Sequence, residues 1–326
     1  MSGVNVRSAA FPSGSEARGR ASLLWYPAAP NAPTYAGSMH TDSSRGIAGF
    51  TSPVLTLERD GHVATVWLDR PEKRNAMGPE FWRDLPLAMS ALGDEDDLRA
   101  VVIAARGPHF TVGLDLVAMS GLASSGTEAG SDRARSTASR AWATRGQVLA
   151  MQASITAVAD CPVPVIAAVH GACIGGGVDL IAACDIRLAS ADAYFSVRET
   201  KVAIVADLGS LQRLPRILGA GHVAELAFTS MDVPAERAAA IGLVNRLSPD
   251  RDTLLDDARV LAADIAANPP LAVRGTKAVL AAGEGRTVAE GLDYVATWNA
   301  GFLASDDLVE AMTAFIEKRP PRFTGE

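Results

Sequence analysis

The order of strand and helix patterns along the 326-residue chain predicts an α/β protein. Short apolar runs of strand length alternate with segments of helical spacing as far as about residue 250, and only helical patterns follow. This alternation is typical of a sheet covered by helices, with a helical region added at the end. We therefore divide the chain into an N-terminal extension at residues 1–50, an α/β core at 51–250 and a helical region at 251–326.

The N-terminal extension is rich in Ser, Gly, Ala and Pro and shows no sustained periodicity. It carries several arginines but few acids, Glu16 and Asp42. A segment of this composition buries too little apolar surface to fold, so we expect disorder. The same composition would fit a transit peptide to the mitochondrial matrix. An unstructured extension on a cytoplasmic bacterial protein is the alternative that we favour.

Composition limits the classes of partner. Apolar residues make up 48% of the chain, and 30 basic against 37 acidic residues give a net charge of −7. This charge favours neither nucleic acid nor an anionic membrane as a partner. No apolar run approaches the roughly 20 residues that span a bilayer. The three cysteines, Cys161, Cys173 and Cys184, match neither a disulfide framework nor a zinc motif, so we expect buried thiols.

The core begins with a predicted β-hairpin. Residues 54–59 and 62–68 are β-rich runs on either side of Asp60-Gly61, a dipeptide that favours a type I′ turn. A polar loop follows the second strand and contains three cations, Arg70, Lys73 and Arg74. These side chains could bind phosphate groups, although a solvated loop is the commoner use of such a run.

The remaining elements follow from the same periodicities. We expect strands at 98–105, 163–169, 185–189, 194–197 and 244–247. We expect helices at 79–92, 141–159, 210–218, 222–228, 234–241, 253–267, 271–282, 287–303 and 306–318. A Ser/Gly/Ala-rich segment at 121–137 predicts a mobile loop, and 198–209 predicts a structured loop.

A glycine-rich turn, Gly175-Gly-Gly177, separates the strand pattern at 163–169 from a helical pattern that carries Asp179. Glycines let a ligand lie against the backbone, and the first N–H groups of a helix have no partners within it. Such donors favour a negative oxygen, either of a phosphate or of the enolate of a thioester. Asp179 itself could simply complement the helix macrodipole. Gly113 follows another strand and could supply a second backbone donor.

Several separated motifs then occur in a characteristic order: Phe110-Thr-Val-Gly-Leu-Asp115, His170-Gly-Ala-Cys-Ile-Gly-Gly-Gly-Val-Asp179, Cys184-Asp-Ile-Arg187 and Leu208-Gly-Ser-Leu-Gln-Arg-Leu-Pro215. Together they resemble the crotonase (enoyl-CoA hydratase/isomerase) superfamily over residues 53–318. Within that superfamily, the stretches at 68–77, 81–83, 205–207 and 294–299 look most like the Δ3,5-Δ2,4-dienoyl-CoA isomerases.

The resemblance implies a crotonase-like spiral of ββα units with a helical C-terminal region that mediates trimerisation, so a homotrimer or homohexamer is expected. It also implies an acyl-CoA substrate and an enzyme without a metal or redox cofactor. The backbone N–H groups of Leu114 and Gly176 would form the oxyanion hole that holds the thioester oxygen.

Three acids, Asp179, Glu199 and Asp207, occupy the positions at which the resembling isomerases carry their functional carboxyls. A hydratase would usually show glutamate at the first two positions and no acid at the third. The resemblance therefore implies isomerisation of a 3,5-dienoyl-CoA to the 2,4-dienoyl-CoA. We expect Glu199 to exchange the C2 proton, Asp207 the C6 proton, and Asp179 to tune Glu199. Carboxyls crowded in an apolar pocket should include at least one with a raised pKa.

For the CoA moiety, the cations Arg70, Lys73 and Arg74 are the candidate phosphate ligands, and Ala172 is a candidate for lining the pantetheine path. Two other functions remain open at this point. One is an enoyl-CoA hydratase, which adds water to a 2-enoyl-CoA. The other is a catalytically silent acyl-CoA binding protein that keeps the fold and the oxyanion hole.

Overall fold

The computed structural model of the protein describes residues 50–119 and 136–326. The disorder expected for the N-terminal extension therefore lies outside the described residues, except at Phe50. The mobile loop expected at 121–137 also lies outside them, except at its last two residues, where a helix starts.

A six-stranded sheet forms the centre of the α/β part. Its strands, in spatial order, are β1 (Leu55–Asp60), β2 (Val63–Leu68), β3 (Ala100–Ala105), β4 (Val165–Val169), β6 (Ile186–Ser190) and β9 (Arg246–Ser248). The edge strand β1 is antiparallel to β2, and the other neighbouring pairs are parallel. Every residue of β3 and β4 is buried, as expected for parallel strands covered on both faces.

Three short strands form a second sheet in the order β5 (Ala172–Ile174), β7 (Tyr194–Ser196) and β8 (Val233–Pro234). The helices are α1 (Pro79–Gly93), α2 (Thr137–Ala159), α3 (Gly176–Ala182), α4 (Ser210–Ile217), α5 (Ala220–Thr229), α6 (Ala235–Ala240), α7 (Arg251–Ala266), α8 (Pro270–Ala282), α9 (Val288–Phe302) and α10 (Asp306–Glu317). Two short 3₁₀ helices span Pro71–Lys73 and Glu199–Val202.

The chain repeats one route through these elements. It passes from β4 in the large sheet to β5 in the small sheet and then into α3, and it next passes from β6 to β7 and into the 3₁₀ helix Glu199–Val202. Only helices follow β9. The predicted α/β class and the helical end of the chain are therefore confirmed.

The core has two layers, one on each face of the large sheet. Alternate residues of β3 belong to different layers, because successive side chains of a strand point to opposite faces: Ile103 packs in the layer with α1, and Val102 packs in the layer with α7. On the second layer, α7 presents Leu254, Ala258 and Ala262 to the sheet, all of them fully buried. The small alanines let this helix lie close to the strands.

The expected β-hairpin forms, but its turn differs from the prediction. Asp60 pairs with Val63, so the turn residues are Gly61 and His62, one position later than expected. Of these two, only Gly61 has a positive φ, at +56°. A type I′ turn needs positive φ at both central residues, and the predicted turn type is therefore wrong.

The three cysteines are buried and unpaired, which confirms the expectation of buried thiols. Within the two described ranges, no helix is both long enough and apolar enough to cross a membrane.

Candidate active site

The glycine-rich turn lies where β5 leads into α3. Gly175 precedes the helix with a φ of +53°, a left-handed conformation that favours glycine. A Cβ atom placed on Gly177 would lie 2.5 Å from the methyl group of Thr111, so no larger side chain fits there. The turn is therefore held between the helix start and the segment that contains Thr111.

That neighbouring segment contains the second glycine. Gly113 has a φ of +83°, and a Cβ atom placed on it would lie 2.6 Å from the carbonyl oxygen of Ile174 and 3.6 Å from the nitrogen of Gly176. The two glycine turns are therefore in contact. The N–H of Gly113 donates to Thr111 Oγ1 at 3.1 Å, which fixes its side of the contact.

The contact brings together the two backbone donors expected from the sequence. Across residues 50–119 and 136–326, neither the Leu114 N–H nor the Gly176 N–H has a hydrogen-bond acceptor. Gly176 is the first residue of α3, where N–H groups have no partner inside the helix. Both groups remain candidates for the oxyanion hole.

Asp179 projects from the first turn of α3 and is fully buried. Its Oδ1 accepts a hydrogen bond of 2.6 Å from the Ser210 N–H at the start of α4. Burial raises the pKa of Asp179 to about 6, and the Ser210 bond offsets part of that increase. The carboxyl is thus anchored on one oxygen and poised between its two protonation states near neutral pH.

Glu199 begins the 3₁₀ helix that follows β7, and its side chain lies over the glycine-rich turn. A Cβ atom placed on Gly175 would be 3.3 Å from Glu199 Oε1. The pKa of Glu199 is raised to about 7. Burial is the larger cause, and the negative charge of Asp179 is the second. The two carboxyls therefore form an electrostatically coupled pair.

Asp207 lies just before α4 and is half-buried. Its backbone carbonyl accepts a hydrogen bond of 2.6 Å from Gln152 Nε2 on α2. Burial raises the pKa of Asp207, and its charge in turn raises the pKa of both Asp179 and Glu199. The structure therefore brings all three acids into one cluster, although 28 residues separate the first from the last in the sequence.

Such a cluster suits proton transfer. A general acid or base works best when its pKa lies near the working pH, and Glu199 and Asp179 both meet that condition. The neighbouring backbone donors would stabilise a negative oxygen formed on a bound thioester. Proton removal beside a carbonyl and proton return elsewhere is the chemistry that this combination can perform.

The structure alters the expectations for CoA-binding residues. Arg70 Nη1 contacts Asp115 Oδ2 at 3.1 Å, so this cation is already paired inside the protein. Ala172 has no exposed surface, and its N–H and carbonyl bond to His109 and Thr111. Ala172 therefore offers no side-chain surface to solvent, and its role along the pantetheine path stays a prediction.

Lys73 and Arg74 lie on the surface of the loop between β2 and α1, as a phosphate ligand requires. Their role stays a prediction.

The geometry also shows residues to which the sequence assigned no role. Ser210 and Gln152 hold two of the three acids through the bonds described above. Met77 contacts the segments of both backbone donors. Ser210 stands inside one of the quoted motifs, but no spacing rule identifies a backbone N–H as the partner of a distant carboxyl.

Comparison with known proteins defines the class to which this fold and site belong. A model of the enoyl-CoA hydratase/isomerase family matches residues 58–326. The chain belongs to the enoyl-CoA hydratase/isomerase family. A crystal structure of an enoyl-CoA hydratase from Bacillus anthracis has a TM-score of 0.75 and 29% identity, and the alignment covers 84% of this chain and 100% of that chain. The crotonase-like fold is therefore confirmed.

Curated relatives narrow the class further. The peroxisomal Δ(3,5)-Δ(2,4)-dienoyl-CoA isomerase of Arabidopsis thaliana is 44% identical over 273 residues, which are 84% of this chain and 96% of that protein. The mitochondrial protein of the same name from Rattus norvegicus is 45% identical over 259 residues, 79% of this chain and 77% of that protein. These relatives confirm the prediction that the chain is an isomerase enzyme.

Proposed function

We propose that this enzyme converts a 3,5-dienoyl-CoA into the 2,4-dienoyl-CoA. The observation that carries the proposal is the third carboxyl: Asp207 lies near enough to Asp179 and Glu199 for its charge to raise the pKa of both. Hydration needs acids only around C2 and C3, whereas this isomerisation also needs one near C6. The relatives named dienoyl-CoA isomerases support the same substrate.

The proposed reaction moves one proton and no other atoms. Ionised Glu199 takes a proton from C2, and the electron pair of the C2–H bond moves into the conjugated system, leaving negative charge on the thioester oxygen. Leu114 and Gly176 N–H would hold that oxygen. Protonated Asp207 then gives its proton to C6, and the double bonds shift from C3 and C5 to C2 and C4.

The cycle leaves Glu199 protonated and Asp207 ionised, so one proton must return before the next turnover. Asp179 acts on the first transfer, because its charge raises the pKa of Glu199 and so makes that carboxylate a stronger base toward the C2 proton. Ser210 keeps Asp179 in place during the exchange.

Substrate preference tests the reaction directly. The purified protein should convert a 3,5-dienoyl-CoA with growth of the absorbance of a conjugated 2,4-dienoyl thioester, and it should act poorly on a 2-enoyl-CoA. Loss of the enoyl band without any formation of dienoyl product would identify a hydratase and contradict the proposal.

Asp207→Asn separates the enzyme from a silent acyl-CoA binding protein. The variant should lose about 10²–10⁴ in kcat, because general acid–base catalysis typically contributes that factor. CoA affinity, measured by calorimetry, should stay within about threefold of wild type, since one half-buried acid is removed. Full isomerase activity in this variant would show that Asp207 has no role in proton transfer.

We also propose that the chain assembles as a homotrimer or a dimer of trimers. Helices α9 and α10 expose many large apolar side chains, including Leu292, Val309 and Ile316, which are 63%, 64% and 76% exposed. Large apolar side chains exposed in such number on two consecutive helices favour an interaction site there. Location in the bacterial cytoplasm stays a prediction, with the mitochondrial matrix as the alternative.

A further inference from the structure

Met77 lies between the loop that follows β2 and the start of α1, and it is fully buried. Its N–H donates to the Gly113 carbonyl at 2.8 Å, and its own carbonyl accepts from the Asp115 N–H at 3.1 Å. These two bonds bracket Leu114. The main chain of Met77 therefore fixes the peptide that carries the Leu114 N–H.

The side chain of the same residue reaches the other donor. Met77 Sδ would lie 3.0 Å from a Cβ atom placed on Gly176, so the sulfur rests against the glycine itself. The ring of Trp82, one turn into α1, packs at the same place, with Cη2 3.6 Å from that Cβ position. Gly176 is thus supported by two side chains that belong to α1 and its start.

We propose that Met77 is a positioning residue that sets the spacing between the Leu114 and Gly176 N–H groups. The inference rests on the proposed function, because it concerns the same oxyanion hole. The two donors belong to separate turns, and they must converge on one oxygen within a few tenths of an ångström. Met77 contacts both turns, through its main chain on one side and its sulfur on the other.

The chemistry of methionine suits this contact. Its unbranched side chain carries the polarisable sulfur far enough from the backbone to touch Gly176. Leucine has a similar volume but branches at Cγ and has no sulfur, so it would fill most of the space without reproducing the contact. Alanine would leave both the contact and the space unfilled.

Paired substitutions at two buried methionines test the proposal. Met89 is 3% exposed and lies in the same core layer, about three turns into α1, away from both glycine turns. Met77→Ala should lower kcat by about tenfold to a hundredfold with KM changed less than about threefold, because the loss falls on transition-state stabilisation. Met89→Ala should leave kcat within about threefold of wild type, since it creates a cavity but moves no donor.

Met77→Leu and Met89→Leu repeat the comparison with variants that keep the core filled. The proposal can therefore be tested even if Met77→Ala fails to fold. The Met77→Leu variant should lose several-fold in kcat while Met89→Leu stays near wild type. Equal kcat values for the Met77→Leu and Met89→Leu variants would overturn the proposal. A change in KM alone for the Met77 variants would also overturn it.

An enolate readout separates this inference from the proposed reaction. An enolisable 3-oxoacyl-CoA bound in an oxyanion hole shows the absorbance of its enolate, whether or not the protein isomerises dienes. Met77→Leu should reduce this absorbance at saturating ligand, and Met89→Leu should not. If wild type shows the enolate signal but no dienoyl product, the proposed reaction fails alone. If the signal is equal in both leucine variants, the role of Met77 fails.

Discussion

At the scale of single residues, the acids of the cluster are held at a cost in stability. Burial disfavours the ionised form of Glu199 and Asp179, and the negative charge of Asp207 adds to the increase in the pKa of both. Proteins commonly accept such a cost where catalysis needs a proton held near neutral pH. Neutral replacements should therefore stabilise the protein while they remove activity.

For Glu199→Gln, the direction of the stability change and the pH range in which it occurs can be predicted. The pKa of Glu199 rises from 4.5 to about 7 on folding, so the folded protein retains the proton more tightly than the unfolded chain. The free energy of unfolding therefore falls as pH rises through this interval. At about pH 8 the variant should be more stable than wild type by on the order of 1–2 kcal/mol, and at about pH 4 the two should be equal. Urea unfolding at both pH values measures the difference, and a variant that is less stable at the higher pH would contradict it.

Gly113→Ala tests the contact between the two glycine turns. The substitution places a Cβ atom 2.6 Å from the Ile174 carbonyl oxygen on a residue with a φ of +83°. It should lower the free energy of unfolding by about 1–3 kcal/mol and kcat by about a hundredfold, because the backbone and the adjacent Leu114 N–H must shift.

Gly146→Ala is the matched control for that variant. Gly146 lies inside α2 with open space around it and a helical φ, so alanine should be neutral or stabilise by up to about 1 kcal/mol. Thermal unfolding and steady-state kinetics of both variants give the comparison. Similar behaviour of the two alanines would show that Gly113 is not constrained.

The sequence and its family resemblance indicated three candidate acids but not how they are held. Asp179 stands in a first helical turn, and Glu199 and Asp207 look like ordinary loop acids, so only the family resemblance linked them. Their proximity arises because β5, β7 and the start of α4 meet in space. A partner such as the Ser210 N–H has no signature, since every non-proline residue carries one.

At the scale of elements, α8 adds a polar link between the helical region and the core to the apolar packing of α7 on the sheet. Lys277 on this helix donates to the Val163 carbonyl at 3.0 Å and to Asp185 Oδ2 at 2.7 Å. The same carboxylate oxygen accepts from the Val165 N–H at the start of β4. One lysine thus links α8 to the central strand that leads to the glycine-rich turn.

Lys277→Met should destabilise the protein by about 1–3 kcal/mol, because it leaves a carbonyl and a carboxylate with fewer donors at a partly buried site. Arg259→Met is the control, since Arg259 forms an ion pair with Asp256 in which both side chains are mostly exposed. That variant should change stability by less than about 0.5 kcal/mol. Urea unfolding of the two variants measures the difference, and equal effects would show that the α8 link contributes little.

Element prediction succeeded for the long periodic segments and for several short strands, such as β6 and β7, but it missed β5. Residues 79–92 predict α1 to within one residue of its observed end, because the apolar spacing persists over several turns. β5 has only three residues between glycines, too few for a period to appear. The hairpin turn was misplaced because strand pairing, rather than the Asp60-Gly61 dipeptide alone, decides which two residues turn.

At the scale of the whole molecule, the apolar surface of α9 and α10 predicts assembly. The Val309→Glu/Ile316→Glu double variant places two charges two turns apart on one exposed face of α10. We expect light scattering to show a trimer or hexamer for wild type and a species near the 33.9 kDa chain mass for the variant, because burying unpaired charges at an interface is unfavourable.

Leu87→Glu serves as the control for assembly, since Leu87 is also exposed, at 57%, but lies on α1. It should leave the assembled mass unchanged. A monomeric wild type, or a double variant that assembles like wild type, would contradict the proposed interface.

The site combines main-chain donors with side-chain acids, and this difference affects how its reaction can change in evolution. The proposed oxyanion donors are main-chain groups, so any substitution at Leu114 except proline leaves its N–H in the chain. Each carboxyl, by contrast, disappears with one amino-acid change. Under the proposed mechanism, a few substitutions can therefore change which protons move while the N–H groups that would hold the enolate oxygen remain. A protein of this design can acquire a new set of acids while it keeps the backbone donors that would make the proton beside a thioester carbonyl more acidic.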